Sequence, residues 1–188
     1  MIVTAEATQS ACLSDLPCPI TTELLDKSPP EITFAGDLNF LARETTALFC
    51  SAQCPGAAIL RTFDRMTQMR DSGQIVLGGF HSPMEQDCLR ILLRGHQPII
   101  LVLARTLHNL HLAPDLVPSF QSNRLLLLSP FGLQHKRVTA SLAVRRNRFA
   151  ATIATKALIA YAAPGSRTAA LADEIHAAGK PVEILSPA

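Results

Sequence analysis

The residues of this chain best suited to chemistry are basic side chains gathered in one stretch. Between Leu116 and Ala172 the sequence has no Asp or Glu but carries eight basic residues: Arg124, Lys136, Arg137, Arg145, Arg146, Arg148, Lys156 and Arg167. The whole chain has 17 basic and 15 acidic side chains, so the remainder is distinctly acidic. Such a separation creates a positive field that attracts phosphates and other anions. A solvated basic face without a ligand is the competing interpretation.

Four short loops rich in Gly, Ser and Pro could present backbone amides to a phosphate, and they span residues 50–56, 78–82, 129–132 and 163–168. Glycine permits a close approach of the backbone, and a following helix adds a partial positive charge. The candidate phosphate-binding residues in the second and fourth loops are Gly78, Gly79, His81, Gly165, Ser166, Arg167 and Thr168. A glycine pair is also a common packing device. The sequence lacks GxGxxG and GxxxxGK[ST], which argues against ordinary dinucleotide or P-loop nucleotide binding.

The densest basic cluster lies inside a predicted helix. Arg145, Arg146, Asn147 and Arg148 follow one another there, and helical spacing puts residues 145 and 148 on a shared face. Guanidinium groups suit bidentate phosphate contacts, and Asn147 could bond a base, a sugar or a loop. An arginine that braces a neighbouring strand end explains the cluster equally well.

Strands and helices are expected to alternate after residue 44. Apolar runs predict strands over 45–50, 74–77, 98–103, 124–128, 156–161 and 181–185, and periodic segments predict helices over 55–70, 82–94, 138–155 and 166–178. Ser82, Pro83 and Glu85 form a capping-box start for the second helix. This alternation predicts an α/β fold with a Rossmann-like, doubly wound, mostly parallel sheet flanked by helices. Ligands of such sheets bind beyond the carboxyl ends of the strands.

Residues 1–43 differ from the rest of the chain. They hold six acidic and two basic side chains and several prolines. We expect an irregular acidic arm that is ordered only where it packs on the body or on a partner. The predicted division is therefore an arm over 1–43 and a domain over 44–188, and the arm could fold back over the basic surface.

Composition argues against several classes of protein. No apolar run approaches the roughly 20 residues that span a bilayer, and no Lys or Arg precedes an apolar block in the first twenty residues. The five cysteines therefore predict reduced thiols in the cytoplasm. Cys50 and Cys54 have the wrong spacing for a zinc site, so we expect neither a metal nor a cofactor.

Two motifs carry a resemblance to a known family. The run Arg146-Asn147-Arg148-Phe149-Ala150-Ala151, with Gly165-Ser166-Arg167-Thr168-Ala169 after the next strand, resembles the RNR-I-I-A-x-L block and S-G-S-x-x-T-A helix start of the DprA/Smf DNA-processing proteins. The segment from Ile75 to His81 occupies the place of the family's V-S-G-x-A-R-G-I-D loop. The resemblance covers residues 44–186 and is that of a divergent, minimal member. His81 stands in place of the arginine of the family's A-R-G-I-D loop, and Cys50-Ser51-Ala52 stands in place of the G-x-R that ends the family's first strand.

The resemblance implies binding of single-stranded DNA in a basic pocket, roles in recombination and transformation, and loading of a RecA-type recombinase. The matching positions are Gly78, Gly79, Arg146, Asn147, Arg148, Gly165, Ser166 and Thr168, while Lys136 and Arg137 fit the pocket without a fixed family position. A homodimer is also implied. We expect no enzymatic activity on this hypothesis.

The alternative is a sensor or hydrolase acting on a small nucleotide. The wider superfamily resembled here includes enzymes that cleave the bond between base and sugar. His81 and Glu85 are four residues apart at a helix start and could form an acid/base pair. The P-G-G-x-G-T-x-x-E motif of those hydrolases is missing from the sequence.

Overall fold

The computed structural model describes residues 1–3 and 8–185. Its strands are β1 (Ile2–Val3), β2 (Gln9–Ala11), β3 (Ile32–Ala35), β4 (Thr45–Cys50), β5 (Ile75–Gly78), β6 (Ile99–Val102), β7 (Leu110–His111), β8 (Leu125–Ser129), β9 (Lys156–Tyr161) and β10 (Val182–Ile184). The α-helices are α1 (Gly56–Asp71), α2 (Pro83–Leu93), α3 (Val117–Gln121), α4 (Ala140–Ile153) and α5 (Arg167–Ala177).

Eight of these strands form one mixed, mostly parallel sheet in the order β10-β9-β4-β5-β6-β8-β3-β2. The six strands from β10 to β8 run parallel, and β3 and β2 add antiparallel to the edge beyond β8. The small strands β1 and β7 pair separately. This is the predicted α/β, Rossmann-like arrangement.

The strand order places a crevice at the carboxyl edge of the sheet. The chain moves outward from β4 through β5 and β6 to β8, and α4 then carries it back to β9 on the other side of β4. Strand order therefore reverses between β4 and β9, which is where ligands of open α/β sheets bind. The loops that begin α1, α2, α4 and α5 all leave from this edge.

Helices cover both faces of the sheet, because alternate residues of each parallel strand point to opposite sides. Helices α1, α2 and α3 pack on one face, where Met66, Cys88 and Leu92 are fully buried. Helices α4 and α5 pack on the other face through Phe149 and Ile175. No described helix is long and apolar enough to cross a membrane.

The described part of the acidic segment before residue 44 packs on the body of the protein. Strand β3 pairs with β8, while Leu16, Leu24 and Leu41 are buried in the core shared with α4 and α5. The sequence did not predict β2 and β3. The division of the chain at residue 43 stays a prediction, and described residues on both sides of it share one sheet.

Two local predictions can be compared with the structure directly. The capping box of α2 is confirmed, since Oγ of Ser82 accepts from the Glu85 amide at 3.3 Å and a Glu85 oxygen accepts from the Ser82 amide at 3.1 Å. The helical spacing of apolar residues in α1 predicts an inner face of Ile59, Leu60, Phe63 and Met66, but the Leu60 side chain is exposed while the other three pack against the core. The inner stripe of α1 is thus narrower than the sequence suggested.

Candidate nucleic-acid interface

The structure divides the eight basic side chains of the acid-free stretch into two groups of four. One group is used within the fold: Arg124, Arg146, Arg148 and Lys156. Arg124 donates to Oγ of Ser119 and to the backbone oxygen of Gly95, and Lys156 pairs with Glu44. The other group is exposed, and no described carboxylate forms an ion pair with its members: Lys136, Arg137, Arg145 and Arg167.

Arg146 is a buried brace at the carboxyl ends of β5 and β6. Its Nη1 donates to the backbone oxygen of Val102 at 3.3 Å, and its Nε donates to Oδ1 of Asn147 at 2.7 Å. A Cβ atom on Gly79 would overlap the guanidinium group, so any side chain there would have to displace it. Burial lowers the pKa of Arg146, and the charge of buried Glu85 acts in the opposite direction. An arginine stays protonated in proteins, so a positive charge lies beneath the glycine pair.

Arg148 is neutralised by two carboxylates from distant parts of the chain. Glu174 on α5 accepts from Nε at 2.9 Å and from Nη2 at 2.7 Å. Both oxygens of Asp26 accept from Nη1 at 2.7 Å. The hydrogen bonds to Glu174, followed by the charges of Glu174 and Asp26, raise the pKa of Arg148. This arginine is therefore occupied in the free protein.

Arg145 lies over the loop that follows β8. Its guanidinium carbon is 5.3 Å from the centroid of the Phe131 ring, and His135 contacts the same ring edge-on at 5.6 Å. Cation–π contact of this kind fixes a guanidinium group while leaving its donors available. Lys136 and Arg137 are exposed in the same loop, immediately before α4. Phe80 and Phe131 are aromatic residues of the strand-end loops that could stack on nucleic-acid bases, but both are buried.

Two grooves flank this part of α4. One lies between α4 and the N-terminal segment, with Lys27, Phe131 and Arg145 among its lining residues. The other lies between α4 and α5 and has Asn147 and Arg167 in its lining. Arg145 and Arg167 thus border grooves on two sides of one helix.

The start of α5 is tied to the end of β4. Oγ of Ser166 accepts from the Ala169 amide at 3.1 Å and lies 3.0 Å from Oγ of Ser51. Oγ of Ser51 also accepts from the Ala163 amide at 2.9 Å. Gly165 has φ 68°, which favours glycine in this turn, and Thr168 is half-buried in the first turn of α5. The side chain of Ser166 is therefore engaged as a helix cap.

His81 and Glu85 have different environments. Glu85 is buried, and one of its carboxylate oxygens accepts from the backbone amides of His81 and Ser82 at 2.9 and 3.1 Å. The His81 side chain is exposed. The carboxylate is thereby used to hold the loop after β5, where Phe80 has the unusual φ of 44°. No group of three His, Cys, Asp or Glu side chains in the described residues could hold a metal ion.

Solved structures similar to this one identify the fold. DNA processing protein A (DprA) from Streptococcus pneumoniae superposes with a TM-score of 0.75 over 94% of this chain, at 16% identity. DprA from Helicobacter pylori, described as having a unique single-stranded DNA binding mode, gives 0.72 over 94% of the chain, also at 16% identity. The fold is DprA-like. The match covers 62% of the S. pneumoniae DprA chain and 80% of the H. pylori one.

A molybdenum cofactor carrier protein from Chlamydomonas reinhardtii is more distantly similar to this DprA-like fold. Its TM-score is 0.51, with 16% identity over 76% of each chain. No protein-family model matches the sequence, and no curated protein matches it either.

Sequence reasoning missed Asp26, Glu174 and Ser51, which contact the candidate residues Arg148 and Ser166. Asp26 and Arg148 are 122 residues apart, and Ser51 and Ser166 are 115 apart. No local pattern links residues at such separations. The excess of acidic residues before residue 44 was the one available signal for Asp26.

Proposed function

We propose that this chain binds single-stranded DNA along the carboxyl edge of its sheet and acts in DNA processing. The observation that carries the proposal is a set of four exposed basic side chains at that edge that form no ion pair with a described carboxylate: Lys136, Arg137, Arg145 and Arg167. Clustered cations that lack internal partners attract the phosphates of a nucleic acid strand. The DprA-like fold, shared with a protein described as binding single-stranded DNA, supports the same class of ligand.

In this proposal the strand lies across the first turns of α4. Lys136, Arg137 and Arg145 contact phosphates on the side of the 130–139 loop, and Arg167 contacts phosphates at the start of α5. The backbone amides near Gly78, Gly79 and Gly165 are further phosphate contacts. Arg146 supports this edge from below by holding the ends of β5 and β6.

Binding is expected to depend little on base sequence. Phe80 and Phe131 are buried, so few aromatic faces are available for stacking on bases. Contacts made to phosphates position a nucleic acid but do not read its sequence. Asn147, which is half-buried beside the groove between α4 and α5, is the best candidate for a base or sugar contact.

The same proposal includes the cellular location and the protein partners that the resemblance to DprA implies. The protein would act in the cytoplasm on DNA that is to be recombined, as in transformation, with a RecA-type recombinase as partner and a homodimer as the active form. The domain that does so would span residues 44–188, with the preceding segment packed against it.

A matched pair of triple variants tests the proposal. Changing Lys136, Arg137 and Arg145 to Ala should weaken binding of a labelled oligonucleotide by at least about tenfold at low salt, because three phosphate contacts are lost. Changing Arg61, Arg90 and Arg94 to Ala removes the same charge from the helices of the other face and should have little effect. Equal losses in the two variants would mean that the carboxyl edge is not the binding surface.

A further inference from the structure

Asp26 brings an additional negative charge to the groove that Arg145 and Arg148 line. Glu174 alone would neutralise Arg148, since its carboxylate already takes Nε and Nη2. The bidentate contact of Asp26 with Nη1 therefore leaves this three-residue cluster with a net negative charge. A like charge at this position repels an approaching phosphate.

The position of Asp26 is next to the exposed cations. It lines the groove between α4 and the N-terminal segment together with Arg145, Lys27 and Phe131. Both oxygens of Asp26 accept from Nη1 of Arg148, and a phosphate is likewise an oxyanion that accepts charge-assisted hydrogen bonds from a guanidinium group. Asp26 thus occupies the donor group of Arg148 that a nucleic acid strand would reach if it passed from Arg145 towards α5.

The carboxylate can leave without unfolding the segment that carries it. The Asp26 side chain is 64% exposed, and ion pairs at such exposed positions contribute little to stability. The neighbouring backbone is held independently, because Leu24 is buried and the Thr21 amide donates to the Thr152 oxygen at 3.2 Å. Release of Asp26 therefore requires only a change of side-chain conformation.

We propose that Asp26 is an autoinhibitory residue that occupies the phosphate position on Arg148 until a nucleic acid strand displaces it. This inference rests on the proposed function, since the displacing ligand is the phosphate backbone of DNA. It assigns a cause to the acidic character of the N-terminal segment. The bound strand gains Arg148 as a contact, and Asp26 lowers the affinity for short or weakly charged anions.

The test compares Asp26→Asn with Asp64→Asn. Both changes remove one negative charge, but Asp64 is an exposed residue of α1 on the opposite face of the sheet. Asp26→Asn should tighten binding of a labelled single-stranded 20-mer by about two- to fivefold at low salt, the range expected for one exposed ion pair. The gain should shrink as salt screens the charges. Asp64→Asn should match the unmodified protein.

Retention on heparin, a polyanion other than DNA, separates failure of this inference from failure of the proposed function. If no protein binds the 20-mer but Asp26→Asn elutes at higher salt than Asp64→Asn, the DNA function is wrong and the autoinhibitory contact stands. Equal behaviour of the two variants on both ligands, or weaker binding by Asp26→Asn, would overturn the autoinhibitory contact. Truncation of the N-terminal segment is not a substitute, because it removes β3 from the sheet.

Discussion

Three arginines within four residues of α4 have three different environments. Arg145 is exposed over an aromatic ring, Arg146 is buried beneath a glycine, and Arg148 is held by two carboxylates. The 100° step between successive helical residues explains why neighbours in sequence have such different surroundings. Helical spacing alone correctly separates 146 from 145 and 148, but it does not reveal which of the latter two has acidic partners.

The first prediction concerns the contact between Gly79 and Arg146. Gly79→Ala should lower the free energy of unfolding by about 1–3 kcal/mol, because the added methyl group must displace a buried guanidinium group. Gly56→Ala is the control, since no atom lies within 4 Å of a Cβ added at that position on α1. Urea unfolding of the two variants measures the difference. A Gly79→Ala protein as stable as Gly56→Ala would mean that Arg146 does not fill this space.

At the scale of elements, the end of α4 depends on a buried lysine. The Nζ group of Lys180, just beyond α5, donates to the backbone oxygens of Ala151, Thr152 and Ala154. These are carbonyl groups of the last turn and cap of α4, which have no partner within the helix. Lys180 therefore joins the end of α4 to the connection between α5 and β10.

The second prediction is that Lys180→Met destabilises the fold in a pH-dependent way. Lys180→Met removes the donor of three backbone oxygens and should lower the free energy of unfolding by about 2–4 kcal/mol at neutral pH. Lys156→Met breaks a surface ion pair with Glu44 and should lower it much less. Thermal or urea unfolding at pH 7 measures both losses. Equal stability of the two variants would contradict the capping role.

The pH dependence has a definite sign. Burial lowers the pKa of Lys180 from 10.5 to about 8, so the unfolded chain binds a proton between these values that the folded chain lacks. Stability rises with pH wherever the unfolded state binds more protons. The stability gap between the unmodified protein and Lys180→Met should therefore widen from about pH 8 to pH 10.5. A gap that stays constant over this window would mean that the folded amine keeps its proton.

The elements that the sequence predicts well are those with strong local patterns. Strands β4, β5, β6, β8, β9 and β10 and helices α1, α2, α4 and α5 were predicted within a few residues of their bounds. Strands β2 and β3 were not predicted, since β2 consists of Gln, Ser and Ala and β3 is fixed by pairing with β8 almost a hundred positions away. Pairing over such distances is a tertiary effect that local propensity does not encode.

At the scale of the whole molecule, the charge asymmetry of the sequence remains as a basic edge with an acidic segment against it. The stretch without acids correctly indicated where the cations would lie. It could not indicate that half of them are used inside the fold, because the carboxylates of Glu44, Asp26 and Glu174 and the backbone oxygens of Gly95 and Val102 lie outside that stretch. The separation into structural and available cations is what the three-dimensional arrangement adds to the sequence.

The third prediction concerns how strongly DNA binding depends on salt, and the number of exposed cations sets the expected size of that dependence. Each phosphate neutralised on a single strand contributes about −0.7 to the slope of log K against log salt, so four exposed basic residues predict a slope of about −3. Buried Arg146 should not contribute. Arg148 becomes a further contact once the strand has displaced Asp26, so with that contact the slope lies between about −3 and −3.5.

The measurement that tests the account most directly is the binding of a fluorescently labelled single-stranded 20-mer to the unmodified protein across a series of salt concentrations. We expect saturable binding at low salt that weakens with a slope of about −3 and depends little on base sequence. No binding at low salt, or binding with a slope near zero, would contradict the assignment of the carboxyl edge as a single-stranded DNA surface.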